Sequence, residues 1–231
     1  AAAPTLWGER ITYEEFMAMR KSKDPAVADR ANALRGNAKT VNFATQIGAM
    51  APKVAIGLKS TEEEAQQFID AKDKAFPRIN QWKEDATQEA NDLGYALTLL
   101  GARRHLSAAL RHAEGNDASR GERQAINYRI QGSAAEQSKL AMGSMWKRGL
   151  FTGKYDARFI APIHDETVSS VHRKDAVKFI REAHECMVQK YADMKIPMKS
   201  SLAIGRDFSC PIEIGTEFTD EQVQEAIDKL F

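Results

Sequence analysis

The chain has 231 residues, of which 43% are hydrophobic and 28% are charged, and its formal net charge is +1. These values are ordinary for a globular protein and exclude a disordered chain, while no apolar run approaches the roughly 18 residues of a membrane helix. We therefore expect a soluble, cytoplasmic protein without a membrane partner. Its two cysteines, Cys186 and Cys210, lack metal-type spacing and are predicted to be reduced thiols.

The charge is divided unevenly along the sequence. Residues 1–60 contain 9 Lys and Arg against 5 Asp and Glu, and residues 101–148 contain 9 against 4. Residues 61–100 contain 4 against 9, and residues 149–231 contain 11 against 14. This alternation is typical of a polyanion-binding surface beside a metal site, although solvated helix faces give similar blocks.

The first predicted elements are helices, one starting at Thr12 and one covering Ala33–Met50. On the second helix, Arg35, Lys39 and Phe43 recur every four residues, which places them along one side over about 12 Å. Two cations followed by a ring suit a nucleoside triphosphate, with the phosphates on the charges and the sugar and base near the ring. The alternative is a surface Arg and Lys beside a core Phe.

A helix or a helix pair is predicted over residues 61–92, because Thr61 and Glu64 form a capping box and Pro77 interrupts or restarts the pattern. A strand-like run, a glycine turn and a basic cluster follow. They predict a hairpin that sets Arg103 and Arg104 against phosphates, unless it is simply a basic turn.

The longest predicted helix covers residues 120–150. Arg123, Asn127 and Gln131 again recur every four residues, beside an apolar stripe. One guanidinium and two amides in a row form a donor-rich ridge that can read minor-groove acceptors and sugars without demanding a base sequence. Amides on a helix surface are also often simply hydrated, so a solvated face is the alternative.

Two short apolar runs flank His164, Asp165 and Glu166. They predict a strand, a tight turn and a returning strand with a carboxylate at the bend, where a side chain can be presented to a ligand. The alternative is the polar tip of a surface hairpin. Beyond it we predict a helix, a strand and a last capped helix, over Asp175–Tyr191, over Met198–Ile204 and from Thr219.

Taken together, these stretches resemble the polymerase region of family A DNA polymerases, the DNA polymerase I and phage replicative type. The spacing of Arg35, Lys39 and Phe43 matches the family's fingers-helix motif. Four further stretches are similar to family motifs. Leu97–Arg104 is similar to the Thr-Leu-x-Gly-Arg-Arg element, and Glu122–Asn127 with Ile130–Glu136 is similar to the primer-template-binding helix. Ile163–Glu166 is similar to the second carboxylate motif, and Gly205–Phe208 to the Gly-x-Asn-Trp-like signature. The motifs follow the family's order over essentially the whole chain, which makes the resemblance highly specific.

The resemblance implies an α/β fold of the α+β kind, the C-terminal part of a polymerase right hand, with helical fingers and a palm that holds a small antiparallel sheet. Residues 1–30 would be a leading helical segment that joins palm to fingers. Residues 31–94 would be the fingers. Residues 95–231 would be the palm, with the primer-template-binding helix and the carboxylate hairpin.

The resemblance also implies deoxynucleotidyl transfer from a deoxynucleoside triphosphate to a primer 3′-hydroxyl on primer-template DNA, with two Mg²⁺ ions. Asp165 would bind metal, and Lys39 would donate a proton to the leaving group. Arg35 and Lys39 would bind the triphosphate, and Phe43 would contact the sugar and the nascent base pair. His164 and Glu166 would support the primer end and the metal site. The residues implied in DNA binding are Arg103, Arg104, Arg123, Asn127 and Gln131.

Two departures from the family pattern matter. Ile47 stands where the family usually has a Tyr before Gly48, which puts template-base stacking there in doubt. The first carboxylate motif, Asp-Tyr-Ser-x-Ile-Glu-Leu-Arg, is absent from these 231 residues. We therefore expect the C-terminal part of a polymerase from a bacterial or phage-infected cell, either a fragment or one half of a naturally split enzyme. It would be inactive without an N-terminal half that supplies the other metal-binding aspartate.

Two other functions are compatible with parts of the pattern. The first is a non-catalytic duplex DNA-binding module derived from a polymerase, which kept the basic helices and lost the chemistry. The second is a single-subunit RNA polymerase, which fits less well because Glu166 after His-Asp resembles the DNA enzymes.

Overall fold

In this computed structural model, the described residues are 11–106, 116–191, 194–209 and 211–231. The chain divides into two compact units, Ala1–Ile130 and Gln131–Phe231. The division into a leading segment, fingers and palm stays a prediction. Cys210 lies outside the described residues, whereas Cys186 is buried and free, as expected for a reduced thiol.

Five helices open the described part of the first unit: α1 (Tyr13–Arg20), α2 (Pro25–Gln46), α3 (Ala51–Leu58), α4 (Glu62–Ala75) and α5 (Pro77–Leu93). The helix start at Thr12 and the capping box of Thr61 and Glu64 are both confirmed. Helix α2 begins earlier than predicted, because the side chain of Asp24 accepts a hydrogen bond from the Ala26 amide at 2.9 Å and Pro25 occupies the first helical position.

Helices α2, α3 and α4 share one apolar core, formed by Val41, Ala51, Val54, Ala55 and Ala65. Small residues allow the helix backbones to approach closely. A Cβ added at Gly57 would lie 2.9 Å from the methyl carbon of Thr40, so α3 lies directly against α2 at this point. The core thus covers one side of α2 and leaves the other side to solvent.

The predicted basic hairpin is present. Strand β1 (Tyr95–Leu97) pairs antiparallel with β2 (Arg103–His105), and Tyr95 lies opposite His105. Helix α6 (Asn116–Lys147) follows and contains the boundary between the two units. In the first unit, Ala125 of α6 packs with Ala90, Ala96 and Leu106, so α6 and the hairpin share a small core.

The second unit contains the remainder of α6, two hairpins and two further helices. In chain order its later elements are β3 (Ala157–Ile163), β4 (Glu166–Val171), a 3₁₀ turn (Arg173–Asp175), α7 (Ala176–Val188), β5 (Leu202–Ile204), β6 (Ile212–Gly215) and α8 (Asp220–Leu230). The strand predicted from Met198 begins only at Leu202. Two cores hold the unit together, one around Met145, Leu150 and Phe179 and one around Ala176, Val223 and Ile227.

The predicted fold class is confirmed, because helices dominate and the described strands form small two-stranded antiparallel sheets. No helix formed by the described residues is both long enough and apolar enough to cross a bilayer.

Candidate nucleotide and nucleic-acid sites

The stripe of Arg35, Lys39 and Phe43 lies on the exposed side of α2. The ammonium of Lys39 is 5.4 Å from the ring centroid of Phe43, within cation–π range. Phe43 is 57% exposed, so the alternative of a core Phe is wrong. The burial that orients α2 comes instead from Ala31, Val41 and Thr45 on its other side. Two cations and an accessible ring therefore lie along one helix face.

A cavity of about 400 Å³ lies between the end of α2 and the first turns of α6, both in the first unit. Arg123 and Asn127 line it, as do Ile47 and Gly48. Gly48 has φ of +82°, and a Cβ added to it would lie 2.6 Å from Cγ of Arg123. A glycine is thus required at position 48 for two reasons, namely the positive φ and the close approach of the Arg123 side chain.

The chemistry of this cavity suits a nucleotide unit of DNA. Ile47 and Met50 provide apolar surface, and three cations and two amides provide donors: Lys53, Arg120, Arg123, Gln124 and Asn127. Bases offer flat apolar faces and edge acceptors, and the backbone offers phosphates. Gln131, the third predicted member of the ridge, is exposed one turn further along α6 and belongs to the second unit.

Sequence reasoning missed three of the polar residues that line the cavity, namely Lys53, Arg120 and Gln124. For Arg120 a signal existed, because it precedes Arg123 by three residues and therefore shares its helix face. Lys53 and Gln124 could be assigned only once α3 and α6 were known to meet.

The β1–β2 hairpin holds two guanidinium groups over aromatic rings. The guanidinium carbon of Arg103 lies 4.9 Å from the ring centroid of Tyr95, and that of Arg104 lies 5.7 Å from the ring centroid of Tyr128. Both arginines are exposed. A cation–π contact restrains a guanidinium beside the ring, and its N–H groups can still donate to phosphate oxygens.

The turn of this hairpin is fixed by Thr98. Its buried hydroxyl accepts a hydrogen bond from the Ala102 amide at 2.8 Å, and its own amide donates to the Ala102 carbonyl at 3.0 Å. Gly101 takes up the positive φ of +89° that the turn needs. The two arginines therefore extend from a defined turn.

The predicted carboxylate hairpin is also present. Strands β3 and β4 pair antiparallel from Ala157 opposite Val171 to Ile163 opposite Glu166, so His164 and Asp165 form a two-residue turn. His164 has φ of +56°, a left-handed angle that costs a non-glycine residue about 1 kcal/mol. The side chains of His164, Asp165 and Glu166 are all exposed.

The tip offers carboxylate oxygens, the ligands that Mg²⁺ prefers. Asp165 and Glu166 are nonetheless too few for a two-metal site. Among the described residues, no three His, Cys, Asp or Glu side chains come together in a way that could hold a metal ion. The tip therefore offers two of the carboxylates that a magnesium site would need.

The fold of this chain is similar to that of a solved polymerase domain. The polymerase domain of Pol1 from M. smegmatis, solved in complex with DNA primer-template and dNTP, superimposes with a TM-score of 0.68 over 86% of this chain and 32% of that chain, at 24% sequence identity. The sequence pattern of DNA polymerase family A matches residues 17–210. This chain therefore belongs to DNA polymerase family A.

Relatives in the same family are bacterial DNA polymerases I. The thermostable DNA polymerase I of Thermus aquaticus is 33% identical over 176 residues, which is 76% of this chain and 20% of that protein. DNA polymerase I of Geobacillus stearothermophilus is 34% identical over 166 residues, 72% of this chain and 19% of that protein. The chain thus spans about a fifth of the length of these relatives.

Proposed function

We propose that this chain takes part in template-directed DNA synthesis, the transfer of a deoxynucleotide to a primer 3′-hydroxyl. The observation that carries the proposal is the exposed stripe of Arg35, Lys39 and Phe43 on α2, in a chain of DNA polymerase family A. An exposed aromatic ring beside two cations has little structural use. It is the surface that a nucleoside triphosphate needs.

In the proposed mechanism, α2 binds the incoming deoxynucleoside triphosphate. Arg35 contacts the phosphates with a planar set of donors, and Phe43 packs against the sugar and the nascent base pair. The primer 3′-hydroxyl gives up its proton to water, and its oxygen bonds to the α-phosphorus as the bond from that phosphorus to the bridging oxygen breaks. Lys39 then donates a proton to the leaving pyrophosphate.

The remaining predicted residues would hold the DNA. Arg103 and Arg104 bind backbone phosphates from their aromatic supports, and Arg123, Asn127 and Gln131 contact sugars and minor-groove acceptors along α6. His164 supports the primer end at the tip of the β3–β4 hairpin.

Asp165, with Glu166 beside it, would hold Mg²⁺ together with a carboxylate from a segment that these 231 residues do not include. Bound Mg²⁺ supplies activation of the attacking oxygen and neutralisation of charge on the phosphates. We propose that a polypeptide with the first carboxylate motif, the N-terminal polymerase half, completes the site. The assembled enzyme is defined here as this chain together with that polypeptide.

Primer extension tests the proposal. The chain alone should not extend a primer, whereas the assembled enzyme should do so in the presence of Mg²⁺, and Asp165→Ala should abolish the extension. Robust extension by the pure chain alone would reject the need for an outside carboxylate. Preference of the assembled enzyme for ribonucleotides would reject DNA synthesis in favour of RNA synthesis.

The second candidate is a non-catalytic module that binds duplex DNA. The arginines stacked on Tyr95 and Tyr128 favour it, because this arrangement needs neither metal nor nucleotide. Duplex binding that survives Asp165→Ala, without extension in any pairing, would support this module over the enzyme.

A further inference from the structure

The last turn of α2 accepts a hydrogen bond from a lysine that has no role in the proposed chemistry. Lys72 of α4 is only 5% exposed, and its ammonium donates a hydrogen bond to the hydroxyl of Thr45 at 2.7 Å. Thr45 is itself only 4% exposed. The contact joins residues 27 positions apart and lies in the interior of the first unit.

A second lysine reaches the same threonine. The ammonium of Lys83, on α5, donates to the carbonyl oxygen of Thr45 at 3.0 Å. That carbonyl also accepts the amide of Gly48 at 3.2 Å, and the Thr45 hydroxyl donates to the Val41 carbonyl at 2.7 Å. Two cations thus meet the C-terminal end of α2, where the helix dipole and unpaired carbonyls favour positive charge.

This arrangement is costly for folding. Neither ammonium forms an ion pair with a carboxylate among the described residues. Burial lowers the pKa of Lys72, the charge of Lys83 lowers it further, and Asp73 acts in the opposite direction. An apolar side chain of similar length would avoid this cost, since the Thr45 hydroxyl would keep its bond to Val41. Stability alone therefore does not explain Lys72.

We infer that Lys72 and Lys83, acting through Thr45, fix the last turn of α2 and thereby position the nucleotide-binding stripe. Thr45 lies two residues after Phe43, on roughly the opposite side of the helix. The hydrogen bonds that fix Thr45 therefore also fix the position of the Phe43 ring. If the end of α2 moved away, both ammoniums would lose these bonds while their mutual repulsion remained. Lys72 and Thr45 are thus positioning residues, and this inference rests on the proposed nucleotide binding by α2.

The test compares four variants of the 231-residue chain. Lys72→Met and Thr45→Val remove the two sides of the contact with little change in size. Lys74→Met is the matched control, because it removes an exposed lysine from the same helix, and Thr45→Ser keeps the hydroxyl. Each variant is titrated with dATP and Mg²⁺ by calorimetry, melted by circular dichroism, and followed by amide hydrogen exchange at residues 43–48.

The expected result is a split between stability and binding. Lys72→Met should raise the melting temperature by roughly 2–4 °C and yet weaken dATP binding by about 2- to 30-fold, with faster exchange at the end of α2. Thr45→Val should weaken binding similarly, and Thr45→Ser and Lys74→Met should bind like the unmodified chain.

Two outcomes would overturn the inference. One is unchanged dATP binding, or unchanged exchange at residues 43–48, in Lys72→Met and Thr45→Val. The other is a lower melting temperature of Lys72→Met in step with weaker binding, which is the sign of a purely structural lysine. If the unmodified chain does not bind dATP, the proposed nucleotide binding fails, and unchanged exchange at residues 43–48 would separately reject the hold on α2.

Discussion

The nucleotide stripe on α2 and the carboxylate tip between β3 and β4 differ in how much of a site each contains. On α2, two cations and a ring lie on one exposed face. The opposite face packs into a core and accepts hydrogen bonds from the buried Lys72 and the half-buried Lys83. The tip presents Asp165 and Glu166 to solvent without further ligands nearby among the described residues. In the proposed function, triphosphate binding would thus reside within one helix, whereas catalysis would need ligands from distant parts of a sequence.

The most direct test of this difference removes one side chain from each of the two regions in the assembled enzyme. Asp165→Ala should reduce primer extension at least on the order of 10³-fold and weaken dATP binding much less than Lys39→Met does, because the proposed role of Asp165 is metal ligation and that of Lys39 is direct contact with the phosphates. Lys39→Met should reduce both extension and dATP binding. Extension is measured under single-turnover conditions, with Glu213→Ala as an exposed carboxylate control. Equal effects of Asp165→Ala and Lys39→Met on dATP binding would contradict the separation.

The exposed ring gives a second prediction. Phe43→Ala should weaken dATP binding by about tenfold, since stacking on a base contributes roughly 1–3 kcal/mol. It should change the free energy of unfolding by less than about 0.5 kcal/mol, because the ring is 57% exposed. Calorimetric titration and urea denaturation measure the two quantities. A loss of about 3–5 kcal/mol, the range for a core Phe, would contradict the structure of this helix face.

A third prediction concerns the cavity beside the stripe. Gly48→Ala should destabilise the chain by about 1–2 kcal/mol, because Gly48 has φ of +82° and the new methyl would meet the Arg123 stem. Displacement of Arg123 should also weaken duplex DNA binding a few-fold, measured by fluorescence anisotropy. Gly36→Ala is the control, since an added Cβ there meets nothing within 4 Å. Identical behaviour of the two variants would reject the Gly48–Arg123 contact.

The smallest expected effect is a dependence of stability on pH. The pKa of Lys72 lies below its ordinary value of 10.5, so the folded chain gives up that proton before the unfolded chain does. The cost of the buried charge is full below the lowered pKa and is relieved as the pH rises towards 10.5, so the free energy of unfolding should increase over that range. Lys72→Met should lose this contribution, and Lys74→Met should keep it. Urea denaturation at several alkaline pH values measures the difference.

Much of the local structure could be predicted from the sequence, because its signals are local. The capping box of Thr61 and Glu64, the break at Pro77 and the glycine turn before Arg103 each fix an element boundary through neighbouring residues. The stripe of Arg35, Lys39 and Phe43 needs only the helical period. Resemblance to the family then supplied proposed roles for residues whose function spacing alone left open.

What could not be predicted depends on residues far apart in sequence. Lys72 belongs to the charged stretch of residues 61–92, and its burial depends on its approach to Thr45, 27 residues earlier in the sequence. The cavity beside Gly48 likewise exists because α6 lies against the end of α2. The exposure of Phe43 also depends on how the helices pack. The sequence alone did not establish it, because an aromatic residue in a helix is more often expected in a core.

Strand β3 has one residue that strand β4 does not match. Phe159 lies opposite Ser169 and Ala161 lies opposite Val168, which leaves Ile160 as a bulge. Side chains alternate along a strand, so one extra residue exchanges the two faces of β3 relative to those of β4 beyond that point. The bulge therefore determines the orientation of the turn relative to strand β4. Deleting Ile160 would turn the direction in which Asp165 is presented without altering any residue of the turn itself.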